Sequence, residues 1–245
     1  MHYRWHWGVF FQHTPDGSST YLTWLWIGLK WTVILSLSAW AVALVVGTIL
    51  GVFRTVPNRW LRAVGTVYVA VFRNIPLLVQ LFIWYFVIPE LVPARLGDWF
   101  KQLNPTLQAF VAAWLCLGLF TAARITEQVR AGIQSLSRGQ KAAGLAMGLS
   151  LSQTYRYVLV PMAFRIILPP LTSEFLNTIK NSAVATTIGF IELSRQAQQL
   201  VDYTAQPYEA FIAVTMLYLV INGIVMAFMH WVEGRARVPG FIVAK

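Results

Sequence analysis

Five apolar runs dominate this chain of 245 residues: Tyr21 to Phe53, Val64 to Ile88, Leu107 to Ile133, Met162 to about Ile188, and Tyr208 to Val232. Crossing about 30 Å of hydrocarbon takes about 20 helical residues, and every run reaches that length. Inside a bilayer each backbone N–H and C=O must be bonded within its own segment, so the runs are read as helices. Composition agrees, since 57% of the residues are hydrophobic and 11% charged, too little polar surface to cover a water-soluble domain of this size. The expectation is an all-α integral membrane protein with about five transmembrane helices in a single domain over 1–245. The fourth run is the least regular, because Pro169, Pro170, Glu174, Asn177, Lys180 and Asn181 interrupt it.

An odd number of crossings puts the termini on opposite sides, and the basic residues say which is which. Arg54, Arg59 and Arg62 lie between the first two spans, Arg138, Lys141 and Arg156 between the third and fourth, and Arg235, Arg237 and Lys245 in the tail. On the other side Arg4, Arg95, Lys101 and Arg195 are balanced by Asp16, Glu90, Asp98, Glu192, Asp202 and Glu209. The asymmetry predicts a periplasmic N-terminus and a cytoplasmic C-terminus. The net charge of +10 is then an orientation signal, and no nucleic-acid partner is expected.

Enzyme chemistry finds no footing. The single cysteine, Cys116, sits in an apolar run and reads as a small buried hydrophobe. His2, His6 and His13 fall on what reads as a mobile, uncleaved external tail with interfacial tryptophans, and His230 at a membrane boundary, so no metal site is expected. No glycine-rich phosphate loop is present, so energy must come from another subunit. Five helices without an inverted repeat are too few to enclose a solute path, which implies a partner chain.

The connection 139–161 is polar and basic between apolar spans. Ala142, Ala143 and Gly144 expose little side chain, a surface able to enter a groove of another protein; Gly148 ends that turn, and Val158 to Pro161 leads back to the membrane, with Pro161 suited to a first helical turn. Gly139 and Gln140 precede the helix. The spacing of small pair, glycine and aliphatic-x-aliphatic-Pro resembles the cytoplasmic coupling loop of ATP-binding-cassette importer permeases. Ala142 stands where that family usually has glutamate, and Gly144 where it has a second alanine, which leaves shape and backbone contacts as the coupling surface.

Three further segments carry charge at depth. Arg73 and Pro76 interrupt the second run, and Arg73-Asn74-Ile75-Pro76-Leu77-Leu78 resembles the Arg-x-x-Pro-Leu-Leu element of polar amino acid importer permeases. Arg73 either snorkels to the headgroups or faces protein, water or an anion. Arg124, Glu127 and Arg130 recur every third residue along one helix face, as a structural ion-pair ladder or, for Arg124, as part of a solute path. This stretch resembles the Glu-x-x-Arg-x-Gly element of the same permeases. Lys180 lies 15 residues beyond Arg165, about 22 Å along a helix, and needs a partner such as Glu174 or a solute carboxylate. Asn177, Asn181 and Ser182 add neutral hydrogen-bonding groups beside it.

As a whole the chain resembles a permease of bacterial glutamate/aspartate importers. That likeness implies the type I importer permease fold in the inner membrane. It also implies a second homologous permease chain, two ATPase subunits that bind the ATP, a periplasmic solute-binding protein, and no cofactor bound by this chain. A permease for another polar amino acid, a secondary transporter working without the ATPase, and a membrane scaffold remain alternatives.

Overall fold

The computed structural model describes residues 3–236, and His2, Arg237 and Lys245 lie outside that range. Among the described residues the regular elements are helices, with one isolated antiparallel bridge between His13 and Thr20. In chain order they are α1 (Tyr21–Phe53), α2 (Arg59–Asn74), α3 (Leu77–Leu91), α4 (Ala94–Gln102), α5 (Pro105–Ser135), α6 (Arg138–Ala146), α7 (Leu151–Ile188), α8 (Leu193–Thr204) and α9 (Pro207–Ala236). Helices α1, α5, α7 and α9 are each long and apolar enough to cross a membrane, and α2 with α3 makes a fifth candidate as a bent pair.

The second span, expected over Val64 to Ile88 as one helix with Pro76 as a kink, is instead two helices, Arg59–Asn74 and Leu77–Leu91. The chain breaks at Ile75-Pro76, between α2 and α3. Proline crowds the residue before it out of the helical region, and Ile75 is extended at φ −99°, ψ 128°. Pro76 then opens α3 at a position where its missing N–H costs nothing.

The fourth span is also corrected. It begins at Leu151 rather than Met162, so the last part of the expected coupling loop is already helix. Ser150 caps it: its Oγ accepts from Gln153 N at 3.3 Å, and Gln153 Oε1 accepts from Ser150 N at 2.8 Å. Pro161 therefore lies inside the helix, not in its first turn. A π turn over Tyr155–Leu159 directly precedes it, the widening expected where a proline withholds an N–H from the preceding turn. The helix narrows to a 3-10 turn at Ser182–Ile188 and stops at Gly189, whose φ of 79° suits glycine.

The chain divides into two compact units. One comprises Met1–Ala39, Pro76–Leu117 and Thr178–Gly223. Here the tail expected to be mobile is tied down. Val9, in a 3-10 turn at Trp7–Phe11, is buried with Tyr21, Leu25, Leu193, Leu200 and Val214. Glu209 accepts from the Tyr3 hydroxyl and, at 2.6 Å, from His6 N. Trp31, Phe110 and Phe190 stack edge-on or tilted with centroids under 6 Å apart, at 5.8, 5.7 and 5.9 Å, around a second apolar cluster.

The other unit comprises Trp40–Ile75, Gly118–Asn177 and Ile224–Lys245. It is joined by close backbone approach. Gly47 and Gly51, four residues apart on α1, sit against Ile125 and Val129 of α5, where an added Cβ would come within 2.7 and 2.6 Å. Gly132 of α5 meets Ile167 of α7 in the same way, at 2.6 Å. Without a hydrophobic force between helices in lipid, small residues that let backbones touch are what hold such pairs together. Trp40 stacks on Phe175 at 4.9 Å, and the Tyr68 hydroxyl donates to the Leu119 carbonyl at 2.6 Å.

Candidate functional site

Arg73, Arg124, Glu127, Arg130 and Glu174 all belong to the second unit. Arg124 of α5 pairs with Glu174 of α7 at 3.7 Å, and its guanidinium lies over the Phe120 ring at 5.2 Å. The Arg124 side chain keeps 42% exposure while Glu174 keeps 14%. Arg73, exposed at the end of α2, adds its positive field at Glu174. At 3.7 Å the pair is an ion pair without a tight hydrogen bond, so the guanidinium retains donors for another anion. Of the two partners expected for Lys180, Glu174 or a solute carboxylate, Glu174 is ion-paired with Arg124.

Glu127 is placed otherwise. It accepts from Arg54 Nη1, and from Arg130 at 2.9 Å (Nε) and 2.8 Å (Nη2), so both carboxylate oxygens are engaged. The ladder of Arg124, Glu127 and Arg130 thus splits. Glu127 and Arg130 clamp the end of α1 through Arg54, while Arg124 turns to α7. Asn177 is half-buried in the same unit.

Lys180, Asn181 and Ser182 belong to the first unit. Lys180 is exposed and makes no ion pair among the described residues. The Ser182 hydroxyl donates to its own helix at Ile179 O, 2.7 Å away. Asn181 and Ser182 border a small, otherwise apolar cleft with Leu35, Leu77 and Cys116.

The polar connection forms the short helix α6. Ala142, Ala143, Leu145 and Met147 are exposed, Gly139 is exposed before them, and Gln140 is half-buried. Gly144 corrects the expectation of a small-residue surface. It is buried, and a Cβ there would stand 2.9 Å from Thr154 Cγ2, so its smallness seats α6 on α7 rather than facing a partner. Gly148 holds φ 83° with open space around it, turning the chain from α6 to α7.

One buried acid was not singled out from sequence. Glu192 caps α8, accepting from Arg195 N at 2.8 Å, from the Tyr218 hydroxyl at 2.8 Å and from Thr186 Oγ1. Burial pushes its pKa up from the ordinary carboxylate range, and these bonds offset that only in part. Its sequence signal was modest: Glu after Gly189 and before an amphipathic run reads as an N-cap.

Residues 43–238 match the family described as binding-protein-dependent transport system inner membrane component. The chain is 55% identical over 241 residues, 98% of both chains, to the glutamate/aspartate import permease protein GltJ of Escherichia coli strain K12. It is 34% identical to the probable glutamine ABC transporter permease protein GlnM of Bacillus subtilis, over 80% of this chain and 85% of that one. A crystal structure of an amino acid ABC transporter with histidines superposes with a TM-score of 0.73 at 29% identity, covering 88% of this chain and 95% of that one.

Proposed function

Because the chain belongs to the family of inner membrane components of binding-protein-dependent transport systems, it is an inner-membrane transport subunit, and we propose that its cargo is an acidic L-amino acid, glutamate or aspartate. The observation that carries this reading is the likeness to GltJ along nearly the whole chain. The charge pattern supports it. An anion leaving water for a low-dielectric path needs fixed cations, and Arg124 offers a half-exposed guanidinium loosely held by Glu174. Arg73 stands in the same unit, and Lys180, Asn177, Asn181 and Ser182 complete the proposed path. Glu127 serves by holding α1 to α5, which keeps Arg124 in place.

In this account the N-terminus is periplasmic and the C-terminus cytoplasmic, as the basic residues near the span ends direct. Helix α6 is the coupling helix, presenting Ala142, Ala143, Leu145 and Met147 to an ATPase subunit; Gly139 and Gln140, expected before the helix, lie in its first turn, and Gly148 lies just past its end. A second homologous permease, two ATPase subunits and a periplasmic binding protein complete the assembly. ATP is bound by the ATPase alone.

Uptake of labelled glutamate by cells whose own acidic amino acid importers are deleted tests the cargo, with the chain expressed beside its partner subunits. Excess unlabelled aspartate should abolish uptake, and excess glutamine should leave it nearly intact. Equal competition by glutamine would overturn the acidic assignment in favour of a permease for neutral polar amino acids.

A further inference from the structure

A cavity of about 400 Å³ in the second unit carries four cations, Arg54, Arg62, Arg138 and Lys141, and no acidic side chain lines it. Arg54 is matched by Glu127. Among the described residues Arg62, Arg138 and Lys141 have no carboxylate partner; Arg62 only reaches the Val56 carbonyl at 3.4 Å. Like charges around one concavity repel unless an anion sits among them.

The rest of the lining says what kind of anion. Ile133, Leu136 and Leu159 supply apolar walls, while Thr55, Ser137 and Tyr155 supply polar groups, with the Tyr155 hydroxyl donating to Thr55 O at 2.9 Å. Arg54 follows directly on the last residue of α1, and Ile133 is in the final turn of α5, so the cavity lies at the ends of spans, at headgroup depth. Beside Arg62, Trp60 is 70% exposed with Arg59 stacked over its ring at 5.1 Å, an arrangement suited to the membrane interface. The cavity takes Arg138 and Lys141 from α6 and none of the exposed Ala142, Ala143, Leu145 and Met147.

We infer that this cavity binds the phosphate of an anionic phospholipid headgroup, the cations meeting the phosphate and the apolar wall meeting the glycerol and upper acyl chain. Placing that lipid in the cytoplasmic leaflet rests on the orientation proposed above; the binding itself does not. The site would fix the end of α1, the start of α2 and the root of α6 to one another through a ligand available only in the bilayer.

Native mass spectrometry of the purified full-length chain, mixed with phosphatidylglycerol or phosphatidylcholine, reads retained lipid directly. Wild type should retain phosphatidylglycerol selectively. Lys141→Gln should lower that retention about fivefold, and the triple variant Arg62→Gln, Arg138→Gln, Lys141→Gln should abolish the selectivity. The charge-conserving pair Arg138→Lys with Lys141→Arg should keep it, separating charge loss from misfolding. Selective retention undiminished in both Lys141→Gln and the triple variant would overturn the site. Inorganic phosphate at 10 mM should not displace the lipid; full displacement would make free phosphate the ligand and overturn the headgroup assignment. ATPase co-purification run on Lys141→Gln should be unchanged, and loss of the ATPase with lipid retention intact would mean that the cavity receives protein instead. No arm depends on cargo, so failure here leaves the acidic amino acid reading standing.

Discussion

Arg54, one residue past the end of α1, is ion-paired with Glu127 of α5 across 73 residues of sequence, and Arg130 holds the second oxygen of the same carboxylate. One acid thus neutralises two arginines. Its loss strands both, whereas loss of either arginine leaves the other paired. Glu127→Gln should cost about 2 kcal/mol, below the roughly 3–5 kcal/mol of a fully buried pair because these side chains keep 14% and 22% exposure. Thermal unfolding of the purified protein should rank Glu127→Gln below Arg130→Gln in melting temperature; the reverse order would contradict the clamp.

Close packing of α1 on α5 predicts a second contrast. A Cβ on Gly51 would meet Val129 Cβ at 2.6 Å, while one on Gly223 would meet nothing within 4 Å. Gly51→Ala should therefore cost about 1–3 kcal/mol of overpacking, and Gly223→Ala should be neutral or slightly stabilising through reduced backbone entropy. Similar melting temperatures for the two variants would remove the glycine contact from the account.

Helix α6 has an inner and an outer face, and they should separate in experiment. Ala143→Gln changes an exposed position and should leave the melting temperature unchanged while lowering ATPase recruitment by about tenfold or more. Gly144→Val drives a side chain into Thr154 and should lower both recruitment and stability. Pull-down of the ATPase alongside calorimetry reads both quantities.

Glu192 predicts a pH dependence with a definite sign. Its folded pKa is raised, so between the ordinary carboxylate range and the raised value the folded protein holds more protons than the unfolded chain. The contribution of this group is fully present below the ordinary carboxylate range and is lost as pH rises through the raised pKa. Comparing wild type with Glu192→Gln across pH 4 to 8, the stability difference should shift against wild type as pH rises. A pH-independent difference would show that the carboxyl titrates normally.

Much of this fold is legible in the sequence for a simple reason. Lys30 is the one formally charged residue in α1, and α9 carries none between Glu209 and Glu233, so these spans follow from hydropathy and helical rise alone. Where polar residues compete, local reading fails. Pro76 reads as a kink within one span, but the degree of the bend depends on what α2 and α3 pack against. Pro161 reads as a helix start because the π turn that accommodates it has no sequence signature. Charged residues within the runs are visible in the sequence, but their partners are not, since no spacing rule connects Arg54 with Glu127 or Arg124 with Glu174. Glu174 reads as one of two candidate partners for Lys180, the other being a solute carboxylate, whereas the ion pair it makes is with Arg124 on α5. Gly144 looked like surface because a glycine leaves the same blank whether it faces solvent or a buried threonine.

The central claim, that Arg124 meets the anionic cargo, is tested most directly by the ratio of glutamate to glutamine uptake in Arg124→Gln relative to wild type, with complex assembly measured in the same membranes. A carboxylate-guanidinium contact in a partly desolvated path is worth about 1.5–3 kcal/mol, so the ratio should fall by about tenfold to hundredfold while the assembled complex is retained. An unchanged ratio in a fully assembled complex would contradict the claim.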